Sequence, residues 1–118
     1  MANTFKVVTV AGVTSEEQIY IAGGSVAATI ILGLMVGNKG TSQVTSTVKL
    51  VSNTSSRPPS DTNGGANANV QLVTNAPIPA GSSLELLAGN KIVLEDTDEI
   101  TVSASGAVDI ALSIMEIT

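Results

Sequence analysis

Residues 77–102 read PIPAGSSLELLAGNKIVLEDTDEITV, and the pattern of this stretch decides the fold class. Short apolar runs (Leu84 and Leu86, Ile92 and Leu94, Ile100 and Val102) recur at intervals of seven to ten residues, separated by polar turns. Alternating runs closed by turn formers predict antiparallel strands joined by tight turns. Pro77 and Pro79 lack backbone donors, so they suit an edge strand or a crossing between sheets, and Gly81 ends that corner. Ala88-Gly89-Asn90 turns the next strand. No residue in the stretch is suited to catalysis.

Downstream, Val108, Ile110, Leu112 and Ile114 alternate with Asp109, Ala111 and Ser113, the clearest strand of the chain. Met115 and Ile117 break the phase, which predicts a bulge or burial of both faces near the C-terminal end. Upstream, Val44, Ser46, Val48 and Leu50 share one strand face, with Thr45, Thr47, Lys49 and Val51 on the other. Val26 to Gly37 is apolar on both faces and predicts a deeply buried strand, bent at Gly33. Periodicity alone also allows a short helix there, but no capping pattern surrounds it. Gln18 to Ala22 is a short strand, preceded by a polar turn over 12–17, and Gln71 to Thr74 is another. Residues 1–10 read as an N-terminal arm or first strand. Residues 53–69, NTSSRPPSDTNGGANAN, form a long surface loop. The whole, residues 1–118, is one all-β domain, an antiparallel β-sandwich or jelly-roll of about eight or nine short strands.

Composition narrows the function classes. One Phe (Phe5), one Tyr (Tyr20) and no Trp leave the core to Val, Ile, Leu and Ala, each giving about 1.5–3 kcal/mol or less on burial. A ring-lined ligand pocket is not expected, nor is a glycan-binding surface. The net charge is −5, and the five basic residues (Lys6, Lys39, Lys49, Arg57, Lys91) are scattered, so no nucleic-acid-binding face is expected. The longest apolar run, Val26 to Val36, is eleven residues, against the roughly 20 a spanning helix needs, so no membrane segment is expected. The first ten residues lack the basic and apolar regions of a signal peptide. With no His and no Cys, thiol chemistry, disulfides and thiolate zinc sites are excluded. No Ser or Thr lies in a nucleophile motif, so no enzyme and no cofactor are expected. Glu95, Asp96, Asp98 and Glu99 supply hard oxygens but not the spacing of a calcium loop, and read as a solvated hairpin turn rather than a metal site.

Pro77–Gly81 (PIPAG), Ser83-Leu84-Glu85-Leu86, Lys91–Glu95 (KIVLE), Asp98 and the closing Val108-Asp109-Ile110 with Met115-Glu116-Ile117 resemble small structural proteins of tailed phages. Residues 32–38, LGLMVGN, stand for the Asn-containing element of such proteins, so the resemblance covers residues 26–118. One departure is Glu95-Asp96-Thr97-Asp98 where those proteins carry Glu-Ala-Gly-Asp; losing the glycine removes easy access to a positive φ. The resemblance implies a non-enzymatic virion protein, foremost a capsid decoration or cement protein that stabilises the assembled head as a symmetric oligomer, with a homotrimer favoured. Its partners would be the major capsid protein or other virion proteins. The alternatives are a tail, neck or baseplate protein, or a host-surface or carbohydrate-binding module. Phe5 in the N-terminal arm and Arg57, Pro58 and Pro59 in the long loop are the candidate partner contacts.

Overall fold

The computed structural model describes residues 2–24, 26–52, 67–86 and 91–118. Among these residues nine strands run in order: β1 (Asn3–Val13), β2 (Glu17–Ile21), β3 (Ala28–Gly37), β4 (Val44–Val51), β5 (Val70–Ile78), β6 (Ser83–Leu86), β7 (Ile92–Leu94), β8 (Glu99–Ala104) and β9 (Val108–Ile117). They form two antiparallel sheets. One has the order β1-β9-β3-β6, with β7 continuing the line of β6 along β3; the other has the order β2-β8-β4-β5. Taking β6 and β7 as one interrupted strand, this is the jelly-roll arrangement of two facing four-stranded sheets.

Between the sheets lies a core of aliphatic side chains. Ile31, Leu34 and Val36 of β3 and Val108, Ile110, Leu112 and Ile114 of β9 meet Val48, Ile78, Ile100 and Val102 of the opposing sheet. The β-branched residues supply both strand propensity and packing, so an almost ring-free sequence still fills its interior. The sequence placed β4 over its observed span. β3 bulges where Gly33 was expected to bend it: its register with β9 slips by one between Ile31 and Gly33. β1 is longer than expected and runs to Val13, where Gly12 takes a φ of +70° at the bulge that ends the regular pairing.

The Pro77–Val102 stretch corrects its own first reading. Its strands do not form hairpins with one another. β5 belongs to one sheet, β6 and β7 to the other, β8 to the first again and β9 to the second, so most tight turns are corners between layers. Among the described residues, the only pair of consecutive strands hydrogen-bonded to each other is β4 and β5. Pro77 sits inside β5, an edge strand, opposite Thr45, and the chain then crosses to the other sheet at Pro79–Ser82. Asn38 pins this corner from within. Its Nδ2 donates to the Ser42 carbonyl at 2.8 Å and the Ile78 carbonyl at 3.0 Å, while its Oδ1 accepts from Gly40 N–H at 3.0 Å. Gly81, at a φ of +70°, donates its N–H to the Asn38 carbonyl at 2.9 Å.

The acidic turn is also a corner, between β7 and β8, and is not uniformly solvated. Asp98 is buried, accepting from Ser52 Oγ at 3.1 Å on Oδ1 and from Glu95 N–H at 3.1 Å on Oδ2. A short polar carboxylate thus satisfies backbone and hydroxyl donors that burial would otherwise strand. The positive φ survives without a glycine: Thr97 adopts +72°, with its N–H donating to the Ala22 carbonyl at 2.8 Å.

Candidate interaction surface

β9 keeps its alternation to the end, against the expected break of phase. Ile114 and Glu116 both face inward and are buried, leaving Met115 and Ile117 on the outer face. The inward position that looked interrupted is filled by a carboxylate. Glu116 Oε2 accepts from Tyr20 Oη–H at 2.6 Å, and Oε1 pairs with Lys6 Nζ at 2.7 Å. Since the phenol proton goes to Glu116, the Thr29 hydroxyl, 2.8 Å from Tyr20 Oη, donates to the phenol oxygen. The Lys6 ammonium, then the Tyr20 phenol, hold the Glu116 carboxyl below its ordinary range. Burial, reinforced by the Glu116 hydrogen bond, pushes Tyr20 up to about 12. This network ties β2 of one sheet to β1, β3 and β9 of the other.

Because Glu116 holds that phase, an apolar row crosses the outer face of the β1-β9-β3-β7 sheet. Phe5 stands opposite Met115, Met115 opposite Ile30, and Ile30 opposite Val93. Phe5 is 70% exposed and Val93 57%. The next row brings Val7, 64% exposed, to Ser113 and Gly33. The third brings Thr9, Ala111, Met35 and Glu85 into line. Gly33, Met35, Ala111 and Ser113 frame a shallow depression of about 190 Å³. That falls short of the roughly 300 Å³ at which small-molecule pockets begin. The surface is therefore suited to a broad apolar contact and not to a ligand. At its end Asp109 accepts from Gly12 N–H at 3.1 Å and pairs with Lys39 at 3.3 Å, contacts that together hold its carboxyl below the ordinary range.

Of the candidate contacts, Phe5 lies on this face, on the strand β1 and not on a free arm. Arg57, Pro58 and Pro59 lie outside the described residues, as does most of the 53–69 loop. Val7, Ile30, Met35, Val93 and Met115 are members of the face that the sequence reading missed. Their signal was present as the apolar second phase of β3 and the Met115/Ile117 pair, taken there as burial of both faces. Among the described residues no group of three or more His, Cys, Asp or Glu is placed to hold a metal ion.

No family model and no curated protein matches the chain. A solved structure from Bacillus endospore appendages, described as disulfide-linked pili, superposes with a TM-score of 0.47 at 15% identity, over 98% of this chain and 87% of that one.

Proposed function

We propose that the chain is a non-enzymatic structural protein of a tailed-phage virion, a decoration or cement protein that reinforces the assembled head as a symmetric oligomer. The observation that carries this reading is the apolar outer face of the β1-β9-β3-β7 sheet, with Phe5, Val7 and Val93 more than half exposed. Side chains of this kind are stabilised when a partner covers them, at about 25 cal/mol per Å² of apolar area removed from water. The phage setting rests on the sequence resemblance through PIPAG, KIVLE and the Val108–Ile117 strand. The major capsid protein is the partner, met where head subunits adjoin. Binding the assembled shell and not the free subunit shifts the shell toward its closed state by mass action.

Heads stripped of this protein and then reloaded with it test the reading. Reloading restores resistance to heat and osmotic shock, and copies per particle number in the hundreds. Unchanged resistance of the stripped heads overturns the cementing role, and three to a dozen copies per particle moves the protein to the tail.

A further inference from the structure

The two sheets end in four edges, and three of them carry features that discourage another strand from pairing. β5 holds Pro77 and slips register twice against β4. β2 is five residues long and bulges between Gln18 and Tyr20. The β6/β7 edge is split into pieces of four and three residues, with Glu85 on it. β1 differs. Among the described residues it is an outermost strand, it pairs with β9 without a slip from Asn3 through Val10, and it contains no proline. Its single charged side chain, Lys6, is engaged with Glu116. A long, regular edge is a template for a further strand.

The hydrogen-bonding direction of that edge follows from one contact. Thr118 N–H donates to the Ala2 carbonyl at 2.9 Å, in the same register that sets Asn3 opposite Ile117. In an antiparallel ladder, residues whose backbone groups face the partner strand alternate with residues whose groups face away. Even-numbered residues of β1 therefore bond to β9. Asn3, Phe5, Val7 and Thr9 turn both N–H and C=O to the open edge, four donors and four acceptors in a regular array. The same residues place their side chains on the apolar outer face.

We infer that β1 pairs antiparallel with β1 of a second copy about a two-fold axis, fusing two sheets into one. The two-fold falls on Phe5 or Val7. Centring it on Lys6 would set two ammonium groups directly opposite each other, whereas the other centres pair Lys6 with Thr4 or Val8. Centred on Phe5, the two Phe5 side chains face each other and each Val7 faces Asn3; centred on Val7, the two Val7 side chains meet and each Phe5 faces Thr9, so an apolar pair lies on the axis in both. The contact is isologous, so it closes as a dimer and does not propagate as a fibre. It goes beyond the virion reading, because it states what the protein binds in solution.

The test uses the full purified chain. Light scattering and native mass spectrometry give a dimer. Residue-resolved hydrogen exchange finds Phe5 and Val7 amides slowed, and their protection lost on dilution while that of Lys6 and Val8 remains. Val7→Pro removes one edge donor without touching the β9 ladder, and weakens dimerisation roughly tenfold or more with unchanged far-ultraviolet circular dichroism. Val8→Pro removes a donor to β9 and lowers the melting temperature instead. A monomer, a trimer, or a dimer whose Phe5 and Val7 amides exchange freely overturns the pairing, and does so whether or not Val7→Pro folds. Failure to reload stripped heads leaves this result untouched, and a monomer in solution leaves reloading untouched.

Discussion

The two outer faces of the sandwich are constructed alike and finished differently. On one, the row across four strands reads Phe5, Met115, Ile30, Val93; on the other, the corresponding row reads Gln18, Thr101, Lys49, Gln71. The second face continues with Thr47 opposite Ser103, and Asn75 N–H donates to Thr47 Oγ1 at 3.0 Å. Its Lys49 reaches Glu16 at 2.8 Å. Apart from Thr101, which is buried, the hydroxyls, amides and ion pairs of this face exchange hydrogen bonds with water at little cost, so it can remain uncovered. A face of Phe, Val, Ile and Met gains free energy when water is excluded. Antiparallel sheets commonly turn one side to solvent, and the polar face follows that habit. The apolar face departs from it, and the proposed contact with other virion proteins rests on that departure.

The strongest challenge to the comparison places charge on each face in turn. Phe5→Glu with Val93→Glu should weaken retention on heads by about a hundredfold while leaving the melting curve of the monomer, recorded at concentrations too low for copies to pair, nearly unchanged, because both side chains are already largely exposed. Gln18→Glu with Gln71→Glu adds the same charge to the polar face and should leave retention intact. Equal losses from both pairs, read by quantitative gel analysis of sedimented particles, would dissolve the distinction.

The next test addresses what keeps the apolar row in phase. Tyr20→Phe removes the hydrogen bond to the buried Glu116 carboxylate and the acceptor of Thr29, and should cost about 1–3 kcal/mol by chemical denaturation. Its pH signature is separate. Tyr20 is raised from 10.0 to about 12, so its contribution is complete below pH 10 and lost as pH climbs toward 12. Tyr20→Phe should lack that alkaline limb. Glu116 is lowered from 4.5, so its contribution is complete above about pH 4.5 and falls away as the solution becomes more acid. Glu116→Gln should flatten this acid limb in part, since Asp109 shifts in the same direction and keeps its share.

The smallest effect is expected on the polar face. Lys49→Ala breaks the pair with Glu16, whose carboxylate is 55% exposed, and should change stability by about 1 kcal/mol or less. A much larger loss would mean that the polar face is itself part of a contact.

Much of the fold was legible because alternation is local. β4 was read over its full span, the slip in β3 was expected at Gly33, and the proline corner was recognised as a crossing between sheets. The acidic turn and the C-terminal end of β9 were misread for a shared reason. Asp98 and Glu116 look like solvated charges in the sequence, and their burial depends on partners 46 and 96 residues away, Ser52 and Tyr20. Thr97 holds a positive φ that its residue type disfavours, because the corner around it fixes the backbone.

The sequence by itself determined that this is an all-β domain with an aliphatic core, and it marked the turns. A period of two states that residues share a face, and β-branched residues state that the face belongs to a strand. It could not state which strands are neighbours, since turns between layers and turns within a hairpin use the same residues. The tertiary structure alone decided that the Pro77–Val102 strands part company at their turns. It also decided that β1 lies at an edge of the described sheet, and that the apolar residues in the two phases of β9 have opposite fates. Val108, Ile110, Leu112 and Ile114 meet the opposing sheet, while Met115 and Ile117 look outward from the other side of the same strand.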